Sequence, residues 1–246
     1  MPRRPLVIVL ALAAIGVGGY VAYDQFLRGD NVPPLTLPSA SPGGSSGPSA
    51  GPSPTSAGSP ATATADELAG DWTVGDGTIV GYRVLEKLAE LPAQSEAVGR
   101  TSSVTGSATL EANGQTVTVT AATFEADLTT LTSNDGRRDR RIREIGLESA
   151  RFPTGNFALT SPAEVPADGL DGATVEVTLV GDLTIHGVTK SFSIPAQARL
   201  NGSTIKVLGS LTFAFSDFGM TPPNIGGFVK VESDATLEFV LVLSRA

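Results

Sequence analysis

The chain has 246 residues, a formal net charge of -8, no cysteine and a single histidine, His186. The acidic balance excludes the basic footprint of a nucleic-acid binder. The missing Cys and His ligands exclude a disulfide scaffold, an iron–sulfur cluster and a structural zinc site.

Residues 1–28 are read as a cytoplasmic tip and a transmembrane anchor. Positions 6–23 carry no charge, and as a helix they would span roughly 27 Å, close to the hydrocarbon thickness of a bilayer. Arg3 and Arg4 precede the run, which keeps the N-terminus cytoplasmic and sends the rest of the chain outward. The competing reading is a cleaved signal peptide and a secreted product. Residues 29–65 follow as a disordered linker. Within them, 33–64 are almost wholly Pro, Ser, Gly, Ala and Thr, without charge, and offer little apolar surface to offset ordering entropy. Two G-x-S-x-G matches, at 43–47 and 47–51, lack the strand before and helix after that a nucleophile elbow requires. No catalytic residue is assigned to them.

Residues 66–246 are expected to be the folded domain, and period-two alternation dominates it. From Val188 the even positions through Leu200 are mostly apolar and the odd positions are mostly polar, which marks a half-buried antiparallel strand. Similar runs occupy 175–185, 205–215 and 237–243, with others at 79–85, 98–110, 117–128 and 156–161. The pairs Asn113-Gly114, His186-Gly187 and Asn201-Gly202 separate such runs and suit tight hairpins. A slip of the apolar phase near Ala121-Ala122 predicts a β-bulge. One helical stretch is expected over 134–147, capped by Asn134 or Asp135. The fold class is therefore all-β: eight antiparallel strands whose short turns favour closure into a barrel. Such a barrel is either filled by side chains or holds one small ligand.

The chemistry available is sparse. His186 reads as a turn residue tolerating a left-handed backbone, and no metal site or cofactor is expected. Arg137, Arg138, Arg140, Arg141 and Arg143 alternate with Asp139 and Glu144. They make either a solvated, ion-paired helix face or an anion contact at the barrel mouth. Inward-phase residues that would line a cavity are Phe124, Val177, Leu179, Phe192, Ile194, Phe213, Phe215, Leu237 and Phe239. Arg100 and Lys190 fall on otherwise apolar faces and join Arg138 as candidate head-group contacts.

The stretch Gly181-Asp182-Leu183-Thr184-Ile185-His186-Gly187-Val188-Thr189-Lys190 resembles the signature hairpin of the YceI-like family. Arg138-Asp139, Phe152-Pro153 and Phe157 resemble that family's pattern around its helix. Trp72, Gly81-Tyr82-Arg83-Val84, Val98-Gly99-Arg100-Thr101 and Phe215-Ser216-Asp217-Phe218-Gly219 extend the likeness over the folded domain. The resemblance implies an extracytoplasmic, lipocalin-like barrel holding a long isoprenoid or fatty-acid-like lipid, with no catalytic residues. Together these features predict a non-enzymatic, membrane-anchored lipid carrier whose partners are that lipid and the cytoplasmic membrane. The alternative is a filled barrel serving as an interaction module of the cell envelope.

Overall fold

The computed structural model describes residues 32–37, 63–88, 94–166, 169, 172–225 and 229–246. The proposed anchor at 6–23 and both G-x-S-x-G matches lie outside the described residues. Among the described residues no helix is long and apolar enough to cross a membrane.

The chain enters through a single helical turn, α1 (Ala65–Leu68), and continues as β1 (Gly70–Val74), β2 (Ile79–Leu88), β3 (Gln94–Thr101), β4 (Val104–Asn113) and β5 (Thr116–Asp127). The helix α2 (Gly136–Arg141) precedes β6 (Thr154–Leu159), β7 (Ala163–Val165), β8 (Val175–Ile185) and β9 (Val188–Asn201). The remaining strands are β10 (Thr204–Ala214), β11 (Asn224–Ile225) and the long β12 (Val229–Arg245). Strands β1, β4, β5, β6, β8, β9, β10 and β12 are successive neighbours, and β12 pairs back to β1 through Trp72↔Arg245 and Val74↔Leu243. The result is a closed, eight-stranded antiparallel barrel. Closure removes the exposed edges that an open sheet would leave.

The strand β2 uses the same edge of β12 as β1 does, farther toward the start of β12, and β3 pairs outside β2. The wall is thus doubled in depth at one end, where a bridge between Arg100 and Thr132 ties β3 to the segment leading into α2. This end is the mouth. At the opposite end α1 closes the barrel. Thr64 and Glu67 form a reciprocal capping box, and Leu68 accepts a 2.9 Å hydrogen bond from the indole Nε1 of Trp72, which is 2 % exposed. Ala65, Leu68, Trp72, Leu110 and Val117 make this end a packed apolar plug.

Several local expectations are corrected. The run 98–110 is two strands, broken at Ser102-Ser103, and β1 had no alternation to announce it. The helical stretch over 134–147 divides into α2 and a π turn over Ile142–Gly146. Asp135 caps α2 by accepting from the Arg137 amide at 2.8 Å. The bulge is one residue from its predicted place: Thr109 faces Ala121 and Leu110 faces Val119, leaving Thr120 unpaired on β5. His186 and Gly187 both have positive φ (54° and 73°), as a two-residue type I′ hairpin demands. In the other two hairpins the asparagine ends the strand and only Gly114 and Gly202 carry positive φ.

Of the linker expected over 29–65, residues 32–37 and 63–65 are among the described residues, and both stretches are placed against the domain. Ala63 and Thr64 already belong to the domain, and residues 32–37 lie on the outer wall, bonded to Arg83, Arg100 and Glu238. Those contacts are 50 to 203 residues away in sequence, beyond the reach of compositional reading.

Candidate ligand-binding cavity

Three cavities follow one another through the barrel. The mouth cavity, about 190 Å³, lies between the β2–β3 wall and α2. The middle cavity, about 100 Å³, shares Val80, Leu128, Ile185 and Leu237 with it. The innermost, about 80 Å³, shares Phe124, Leu179 and Leu241 with the middle one and ends against Leu68 and Val117. Such a series of narrow apolar chambers suits an elongated chain better than a compact ring. A dry cavity of 150 Å³ already accepts an apolar guest the size of benzene.

Two glycines shape the chambers. A Cβ at Gly209 would lie 2.3 Å from the Phe239 ring, and one at Gly181 would lie 2.4 Å from the Phe157 ring. The rings therefore lie flat against bare backbone, and the space they leave free belongs to the lumen. Phe239, Phe124 and Phe157 all line the middle cavity.

Polar groups gather at the mouth. Glu86, Asp135, Arg137, Arg138 and Arg141 line the outermost cavity, together with Tyr82 and Thr101. The middle cavity has only Glu125 and Asn156, and the innermost only Arg199, as ionisable or amide side chains. Arg138 lies 3.6 Å from the Glu86 carboxylate and donates to Asn134 Oδ1 at 3.0 Å. The buried Asp139 is committed to structure, accepting from the Ser133 amide and hydroxyl at 2.9 and 2.7 Å. Phe215 and Phe218 sit in a short 3₁₀ turn, not in a strand, and cover the mouth with Phe213 and Met220.

Of the nine apolar candidates, Phe213, Phe215 and Leu237 line the mouth cavity. Phe124, Leu179, Ile194 and Phe239 line the middle one, and Val177 lines the innermost. Phe192 instead packs among core side chains, its ring 6.0 Å from that of Phe218. Among the head-group candidates only Arg138 reaches a cavity. Lys190 is exposed at the rim and donates to Asp217 Oδ1 at 2.9 Å. That bond and the Ala214 amide hold the Asp217 carboxyl below the usual aspartate range.

Arg100 is the clearest correction. It stands across from Gly81, on the opposite pleat from Gly99 and Thr101, and so belongs to the outer wall. There it donates to Glu238 Oε1 through Nε at 2.9 Å and to the Pro33 carbonyl at 2.7 Å. Arg83, on the same outer face, donates to Glu238 and Glu96 at 2.7 Å each and to the carbonyls of Val32 and Pro33 at 2.9 and 2.7 Å. Burial works against the Arg83 charge, yet Glu238 and Glu96 outweigh it and raise the guanidinium above its ordinary value. Outward charges on a barrel are normally wet. Here Arg83 is 9 % and Glu238 4 % exposed.

With this geometry in view, the comparisons converge. The YceI-like domain model matches residues 82–243. The chain belongs to the YceI-like family. It is 32 % identical over 156 residues to a UPF0312 protein of Shewanella sp. (strain W3-18-1), covering 59 % of this chain and 75 % of the relative. A UPF0312 protein of Vibrio vulnificus (strain YJ016) is 28 % identical over 113 residues, 43 % and 56 % of the two chains. Among solved structures, a polyisoprenoid binding domain from Saccharophagus degradans has a TM-score of 0.52 at 14 % identity, covering 71 % of this chain and 98 % of that one. BcnA of Burkholderia cenocepacia has a TM-score of 0.51 at 17 % identity, with coverages of 69 % and 98 %. These two likenesses establish the shared barrel fold.

Proposed function

We propose that this YceI-like protein is an extracytoplasmic carrier of a long-chain amphiphile, an isoprenoid or fatty-acid-like lipid, anchored to the cytoplasmic membrane by residues 6–23. The observation that carries the reading is the series of apolar cavities, plugged at one end by Trp72 and rimmed with charge at the other. An acyl or prenyl chain threads inward past Leu237 and Leu179, while its polar head stays at the mouth beside Arg138 and Arg141. The arginines can offer charge-assisted hydrogen bonds to an anionic head. Apolar burial supplies affinity in proportion to the length of chain enclosed. The fold match to a polyisoprenoid binding domain supports the ligand class, and the apolar run after Arg3 and Arg4 supports the anchor and its orientation. Binding, not catalysis, is the activity.

Mass spectrometry of organic extracts from the purified protein tests this reading, with Leu179→Trp as the blocking variant. Leu179 lines both inner cavities, so the larger ring should abolish retention of a long chain. Thr178→Phe, whose side chain points outward and is exposed, should retain the lipid. Repeated lipid-free extracts from the parent would favour the filled interaction module instead.

A further inference from the structure

We propose that the mouth end of the barrel is a docking face for an anionic bilayer surface, held in place by a strap formed by residues 32–37. This rests on the lipid-carrier reading and adds where the carrier meets its cargo. Two large apolar side chains are exposed among the described residues, Ile145 at 63 % and Leu85 at 45 %. Both flank the mouth. Ile145 lies in the π turn between Ile142 and Gly146, and Leu85 lies on β2 between Val84 and Glu86; all four of these neighbours line the mouth cavity.

The charge at this end suits the same partner. The chain is acidic overall, yet Arg137, Arg140 and Arg141 are exposed together on α2, beside Ile145. Asp139, the acid within that helix, is buried against Ser133, and the exposed Glu144 beside Ile145 offsets one of the three arginines, so the face stays net positive. Basic side chains around an exposed apolar tip match an anionic interface, where the charges meet phosphate and the apolar group enters the acyl boundary.

The strap supplies an independent argument. Its Val32 and Pro33 carbonyls accept from Arg83 and Arg100, and the Leu35 amide approaches Glu238. It therefore grips the outside of the wall whose inner residues Tyr82, Val84 and Leu237 line the mouth. Only eight residues separate Tyr23 from Val32, which is at most about 30 Å of extended chain. With residues 6–23 in the bilayer, the mouth is kept at the membrane rather than on a long free stalk. A lipid can then pass between bilayer and barrel without crossing open water.

The absence of cysteine makes the test direct. Full-length Ile145→Cys and, as a control on the far wall, Thr178→Cys are labelled with an environment-sensitive fluorophore. Each is reconstituted in vesicles of phosphatidylcholine with phosphatidylglycerol, and quenching by nitroxide-bearing lipid is read. Strong quenching is expected at 145 and little at 178. The docking equilibrium it reports should weaken about five-fold for each arginine neutralised in Arg140→Gln and Arg141→Gln, since each basic residue near the surface contributes at about that level. High salt should weaken it without any mutation, and Arg100→Met, which removes a donor to the Pro33 carbonyl of the strap, should bring 145 toward the control. Equal quenching at 145 and 178 in chains that float with the vesicles overturns the docking face while leaving lipid carriage, read by extraction, intact. Chains that do not float overturn both the anchor and this proposal.

Discussion

The two ends of the barrel are built from the same alternating strands but solve opposite problems. At the closed end α1 folds under the strands, Trp72 is 2 % exposed, and its indole N–H is satisfied by Leu68. At the mouth the wall is made by β2 and β3, the covering segment is a short helix running into a π turn, and charged side chains face the lumen. One end buries its helix as core and the other holds its helix as a lid over open space. The difference teaches that polarity in this barrel is axial: apolar packing concentrates at the plug and charged side chains at the rim.

The largest effect should come from breaking the plug. Trp72→Ala removes the largest fully buried side chain and orphans a cavity lined by Leu68 and Leu110. Losses for such truncations run about 3–5 kcal/mol, measurable by urea or thermal unfolding. An aromatic truncation at the mouth, Phe213→Ala, should cost less because its ring borders the mouth cavity. Equal losses at the two ends would erase the proposed division.

How much of this was legible in the sequence follows from the range of the interactions involved. Strands β8 and β9 could be read residue by residue because their pleats alternate cleanly between apolar and polar. Arg100 could not, because it shares the pleat of the buried Val98, which stands opposite Arg83 on the outer wall, while Gly99 faces inward only to make room for Tyr82, whose ring lies 2.3 Å from a Cβ built there. Phe124, Phe213 and Phe239 are legible from period two, whereas Phe157 and Tyr82 line the cavities without having been candidates, Phe192 lines none of them, and Phe215 occupies a 3₁₀ turn rather than a strand. The outer-wall cluster was missed because Arg83 and Glu238 stand 155 positions apart and are covered by a segment with the composition of a linker.

The second prediction sharpens the comparison at the neck between the ends. Gly209→Val should drive the Phe239 ring off the β10 backbone, since even a bare Cβ would sit 2.3 Å from it. The displaced ring must enter the middle cavity, so lipid retention should fall while overpacking costs about 1–3 kcal/mol. Extraction and a melting curve on the same sample separate the two effects. Retention unchanged with stability lost would mean that the middle chamber is not on the ligand's path.

The smallest expected effect concerns the rim. The Asp217 carboxylate is held below the usual aspartate range, first by the hydrogen bond from Lys190 and then by that from the Ala214 amide. Both bonds tie the 3₁₀ turn over the mouth to its flanking strands. The sign follows from the depressed folded value. The stabilisation is present above the unfolded aspartate pKa and disappears as pH falls through the lower, folded one. Acid should therefore loosen the turn over the mouth; at the closed end it reaches only the α1 capping box, where hydrogen bonds from Thr64 likewise hold the Glu67 carboxyl below its usual range, and not the apolar packing around Trp72. A carboxyl-detected NMR titration should give Asp217 a midpoint below the ordinary aspartate range, and Lys190→Met should raise it. Both groups are substantially exposed, so solvent and salt screen the pair and the change in melting temperature should be small. A midpoint unmoved by Lys190→Met would show that the ion pair does not hold the rim, leaving the Ala214 amide as the turn's tie.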